Sequence, residues 1–91
     1  MERTEISIHE IRTVQTLRDS KTWMTNSEIA KKSSIAERTA RLHTLRLLHL
    51  GLLDVIKMYP GYRYRWSQKS EHRNKAYLQR IEIAINATQT N

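Results

Sequence analysis

The sequence contains no cysteine, which excludes a disulfide, a thiolate nucleophile and a Cys-ligated zinc finger together. Glycine occurs twice and proline once, so no flexible linker or low-complexity segment interrupts the 91 residues. No apolar run approaches the roughly 18 residues that cross a bilayer. The start, Met1-Glu2-Arg3-Thr4-Glu5, has neither the basic flank nor the apolar stretch of a signal peptide. With 38% hydrophobic residues and no internal repeat, the chain is expected to be one ordered, helix-rich, cytoplasmic domain over residues 1–91.

Charge is what the sequence has in excess. Sixteen Lys and Arg against nine Asp and Glu give +7, which points to a polyanionic partner: nucleic acid first, an anionic membrane surface second. The excess lies late. From Lys57 to Arg80 the basic residues Lys57, Arg63, Arg65, Lys69, Arg73, Lys75 and Arg80 face the single acid Glu71.

Periodicity and capping signals divide the chain into a mainly α fold with one small β-hairpin (α+β). Ile8, Ile11, Val14 and Leu17 recur every three residues behind Ser7, which predicts a first helix over 7–19. The short stretch Ser20 to Met24 fits a connector or a three-residue strand that buries Trp23. Thr25-Asn26-Ser27-Glu28 has the spacing of a capping box, in which a hydroxyl takes the backbone N–H three residues on and a Glu reaches back; a second helix is expected over 26–33. Ser34-Ile35-Ala36-Glu37 repeats the device and predicts a third helix over 35–50, with Gly51 as its left-handed terminator. Leu52 to Tyr59, the turn chemistry of Pro60-Gly61, and the alternating Tyr62-Arg63-Tyr64-Arg65-Trp66 predict a hairpin over 52–66. Its second strand should pack Tyr62, Tyr64 and Trp66 on one face and expose Arg63 and Arg65 on the other. A fourth, amphipathic helix is expected over 70–87.

The order helix, helix, helix, hairpin, and above all Ile35-Ala36-Glu37-Arg38-Thr39-Ala40-Arg41-Leu42-His43 through Leu47-Leu48-His49-Leu50-Gly51-Leu52-Leu53, resembles prokaryotic and archaeal winged helix-turn-helix DNA-binding regulators. The likeness covers about Thr25 to Trp66. It implies that the third helix enters the major groove, that the second braces on the backbone, and that the hairpin reaches an adjacent groove. The residues it nominates are Thr25, Asn26, Lys31 and Ser34 around the second helix, Arg38, Thr39 and Arg41 on the third, and Lys57, Tyr59, Tyr62, Arg63 and Arg65 on the hairpin. Arg38 and Arg41 could each pair with guanine or phosphate, Thr39 with a thymine methyl or phosphate, and Arg63 could enter the minor groove.

On a helical wheel Ala36, Ala40, Thr44, Leu47 and Gly51 turn inward, while Leu42, Leu45 and His49 fall on the opposite side. The resembled family has a large aliphatic residue in the place of Thr44. Exposed leucines beside a DNA-reading surface leave a second reading open, a protein-interaction module working through Leu42 and Leu45. A third reading, non-specific architectural or RNA binding, rests on net charge alone. Tyr62, Tyr64 and Trp66 suit either a platform for unpaired bases or, for the last two, the core. No His pair has the spacing of a helical zinc site, no cofactor motif appears, and the scattered Ser, His and Glu residues form no nucleophile–base set, so neither a metal nor catalysis is expected. Tyr77, Leu78, Ile81, Ala84 and Ile85 form an apolar side of the last helix that either packs on the first helix or joins a second copy; a homodimer is expected.

Overall fold

Ser7 starts the first helix by accepting the backbone N–H of Glu10 on its hydroxyl at 3.1 Å. The computed structural model describes residues 6–89. From there the chain runs α1 (Ile8–Ser20), α2 (Asn26–Ser33), α3 (Glu37–His49), β1 (Leu53–Met58), β2 (Gly61–Trp66), α4 (Ser70–Arg73) and α5 (Lys75–Gln89). Among the described residues no helix is long and apolar enough to cross a membrane.

The predicted elements are present, and the differences have local causes. Ile11, Val14 and Leu17 of α1 are buried as the stripe requires, but Ile8 at its first position stays on the surface. Between α1 and α2 the core residue is Met24, whose backbone pairs with Tyr64 in both directions at 2.9 and 2.8 Å. Trp23 is only half-buried and serves as a shelf for Arg65, contrary to its expected burial. The first capping box is real: Thr25 N–H donates to Glu28 Oε1 at 2.9 Å, and Glu28 N–H to Thr25 Oγ1 at 3.2 Å. The bond from the Thr25 backbone holds the Glu28 carboxyl below its usual pKa.

The second capping box does not form. Ser34 has φ 59° and ends α2, its backbone N–H returning to Lys31 O at 3.3 Å, and the residue before α3 is Ala36, which offers no side-chain cap. The tight reversal between α2 and α3 uses Ser34 for its left-handed backbone, an orientation incompatible with the extended conformation of an N-cap. Gly51, with φ 81°, does close α3: its N–H reaches Leu48 O and that of Leu52 reaches Leu47 O, both at 3.0 Å.

β1 and β2 pair antiparallel in the register Leu53↔Trp66 to Met58↔Gly61, so Tyr59 and Pro60 form the tip. The expected last helix is broken at Asn74, whose φ of −155° lies outside the helical region. Asparagine prefers a cap to a helix interior. Here its Oδ1 accepts the N–H of Tyr77 at 3.1 Å and so starts α5 afresh.

One cluster of buried side chains joins these pieces. Ile11, Val14 and Leu17 of α1 meet Ile29 of α2, Ala40 and Leu47 of α3, Leu52, Leu53 and Tyr64 from the hairpin region, and Tyr77, Ile81 and Ile85 of α5. Of the two placements open to the last helix, these three residues take the internal one, against α1. Leu78 and Ala84 are half-buried beside them.

Candidate nucleic-acid interface

α3 is oriented by what it buries. Ala40, Thr44 and Leu47, spaced i, i+4, i+7, are fully buried against the core, so the opposite face, Arg38, Leu42, Leu45 and His49, is turned to solvent. Thr44 stands on the inward face as a polar tie: its hydroxyl lies 2.8 Å from Asn26 Oδ1 and 3.0 Å from Arg41 O. Asn26 is the first residue of α2, so the tie fixes the start of α2 against the middle of α3. It also leaves the Asn26 amide N–H₂ without a partner among the described residues.

The residues nominated from sequence separate into free and engaged groups. Arg38 is exposed and has no hydrogen bond or ion pair among the described residues. Among the described residues Arg41 makes only an exposed contact with Glu37 at 3.4 Å, one turn away, which water screens. Thr39 is half-buried; Lys31 in the last turn of α2 and Ser34 just after it are exposed. Thr25 is occupied by its cap. Arg46, which sequence reasoning passed over, extends from the far end of α3 and reaches Glu10 Oε1 at 3.6 Å. Its signal was its position in the last turn of α3, where a cation complements the helix dipole.

On the hairpin, Lys57 lies opposite Tyr62, and both are exposed; Tyr59 at the tip is 97% exposed. Arg63 is half-buried and close enough to Glu28 for its charge to help lower that carboxyl's pKa, which sets it beside the first turn of α2. The packing face tapers toward the tip. Tyr64 is buried and Trp66 half-buried, but Tyr62 is 53% exposed, so the expectation of one packed aromatic face fails at its end. Arg65 departs further from the expected cationic face. Its guanidinium lies 4.2 Å from the centre of the Trp23 ring and 3.7 Å from Asp54 Oδ2, so the hairpin's base consumes it.

Behind α3 a polar cluster runs from the apolar core, at Glu10, Thr13 and Tyr77, out to the half-buried His43 and the exposed Arg46. Glu10 is nearly fully buried; it accepts from Tyr77 Oη at 2.6 Å and faces Arg46. Burial and the bond to Glu10 push the Tyr77 phenol far up, so it stays a donor. Thr13 Oγ1 lies 2.8 Å from His43 Nδ1 and 2.9 Å from His9 O. Burial holds the His43 imidazole below its ordinary pKa, opposed by the nearby Glu10 and assisted by His9 and Arg46. Among the described residues, no three of His, Asp or Glu gather in a metal-binding arrangement.

Three helices, a tight turn between the second and third, and a hairpin extended by the bridge at Met24 define a winged helix-turn-helix. Solved structures share this fold. A protein from the thermoacidophilic archaeon Sulfolobus tokodaii superposes with a TM-score of 0.65 at 16% identity, over 94% of this chain and 83% of its own. A MarR-family transcriptional regulator from Silicibacter pomeroyi gives 0.65 at 9% identity, over 97% and 60%. A variant of Lactococcus lactis ZitR, solved in complex with DNA, gives 0.59 at 14% identity, over 97% and 61%. The chain thus spans less than two thirds of the length of the last two proteins. No protein-family model matches it, and no curated protein matches it in sequence.

Proposed function

We propose that this chain is a sequence-specific double-stranded DNA-binding protein, a transcriptional regulator of the repressor type that acts as a cytoplasmic homodimer and is not an enzyme. The observation that carries the reading is the outward face of α3, where Arg38 extends into solvent without a partner among the described residues. That face belongs to a chain of net charge +7, in a fold shared with a protein solved on DNA. In this reading α3 enters the major groove, with Arg38 and Arg41 at base edges and Thr39 at a methyl or phosphate. The free amide N–H₂ of Asn26, together with Thr25, Lys31 and Ser34, takes phosphates at the ends of α2. Lys57, Tyr59, Tyr62 and Arg63 hold the neighbouring backbone or minor groove, while Arg65 serves by stiffening the hairpin.

The dimer reading moves along α5. Tyr77, Ile81 and Ile85 are spent on the core, but Ile83 is 69% exposed on the other side, between two open grooves to which Leu78 and Ala84 contribute. An isologous contact centred on Ile83, with Leu78 and Ala84 at its edges, would bury this face.

Selection of bound duplexes from a random-sequence pool at near-physiological salt tests the proposal. The expected result is a palindromic consensus with half-sites about one helical turn apart. Arg38→Ala should then weaken binding by about 1–3 kcal/mol and relax preference at one position of each half-site, with the melting temperature unchanged. Retention without a consensus would support architectural binding instead. No retention would discard the DNA reading in favour of a protein partner at Leu42 and Leu45, whose exposure is the observation behind that alternative.

A further inference from the structure

Leu42 and Leu45 are 62% and 58% exposed, yet they lie on the same line along α3 as Arg38 and His49, at i, i+4, i+7 and i+11. No element of the described chain covers them. Single exposed leucines need no explanation, but two neighbours on the face that carries the free arginine form an apolar patch at the centre of the proposed reading surface. Arg38 and Arg41 lie toward one end of the patch and Arg46 toward the other; Arg41 and Arg46 also contact Glu37 and Glu10, both contacts reaching solvent through the exposed arginines, so the positive charge beside the patch is led by Arg38. An occupant must offer anionic charge outside and apolar points at the centre. Duplex DNA does this in its major groove, where phosphates line the rim and the C5-methyl of thymine is the apolar group on the floor.

Resting on the DNA-binding reading above, the geometry points to Leu42 and Leu45 as specificity-determining residues that recognise thymine methyl groups. The two residues are separated by about 4.5 Å along the helix axis, a little more than the roughly 3.4 Å between successive base pairs. They therefore address neighbouring base pairs, while Arg38, one turn earlier, addresses a pair beyond them. The half-site contains adjacent or nearly adjacent thymines, on either strand, beside the position Arg38 reads.

The test uses the full chain and the duplexes recovered from the random pool, with each thymine replaced in turn by deoxyuridine, which removes the methyl and nothing else. At one or two positions per half-site uracil should weaken binding about four-fold, the equivalent of one buried methyl. Leu42→Ala and Leu45→Ala, at exposed helical positions where alanine is well tolerated, should each lose a similar factor on the thymine duplex and become indifferent to uracil at one of those positions. Equal binding of thymine and uracil duplexes at every position overturns the proposal while leaving DNA recognition intact. Variants that lose affinity by the same factor on both duplexes overturn it too, since the leucines would then act through the helix. Variants that retain full affinity and full uracil sensitivity overturn it as well, since other residues would then contact the methyl groups. Failure to recover any duplex removes the DNA reading itself.

Discussion

Gly51 is the residue at which backbone geometry leaves least choice. Its φ of 81° is strained for any L side chain, and a Cβ there would stand 3.3 Å from Arg73 Cδ. Gly51→Ala should destabilise the fold by about 1–2 kcal/mol, readable as a shift in urea midpoint at constant m. His43 supplies a pH dependence. Because burial lowers its folded pKa, the unfolded chain binds a proton that the folded chain does not in the interval below 6.5. Stability should therefore fall as pH falls from 6.5 through the folded value. His43→Gln, which keeps a polar group toward Thr13, should flatten that part of the melting-temperature profile relative to the parent.

At the scale of elements, the signals that were legible in the sequence are those completed within four residues. Thr25 and Glu28 satisfy each other, and Gly51 closes α3 unaided. Ser34 and Glu37 have the same spacing as the first pair, but the chain reverses at Ser34, and a string of letters does not reveal which way a backbone turns. Asn74 was likewise readable only with its setting, since its role depends on the helix breaking between α4 and α5. Asn74→Ala should cost about 0.5–2 kcal/mol by removing the cap of α5, with loss of helical signal confined to that segment in hydrogen exchange. Within the candidate site, the wheel gave the outward face of α3 correctly. The engagement of Arg65 was hidden, because Trp23 joins the hairpin to the linker before α2 and Asp54 meets Arg65 only once the strand register is known.

For the whole molecule, the question is how a body with a Cα radius of gyration of 12.9 Å would gain enough contact with a duplex to choose a site. Two copies related by a two-fold axis double the reading surface. Ile83 escaped the sequence reading because it stands off the stripe formed by Tyr77, Ile81 and Ile85, on the side that the fold leaves bare. Ile83→Asp should give a monomer in sedimentation and lower affinity for a palindromic duplex by about tenfold or more, with affinity for a single half-site unchanged.

The Glu10 carboxylate is touched by α5 through Tyr77 and by α3 through Arg46, with Tyr77 the tighter contact. Around it Ala40 and Leu47 of α3 share one buried cluster with Tyr77, Ile81 and Ile85 of α5, so the roll of α3 is set by the same packing that seats the helix proposed to face the second copy. In a pair joined through α5, the distance between the two reading helices would thus be gauged inside each copy, by that shared packing. The tolerance for half-site spacing is then a property of the core as much as of the surface that touches DNA.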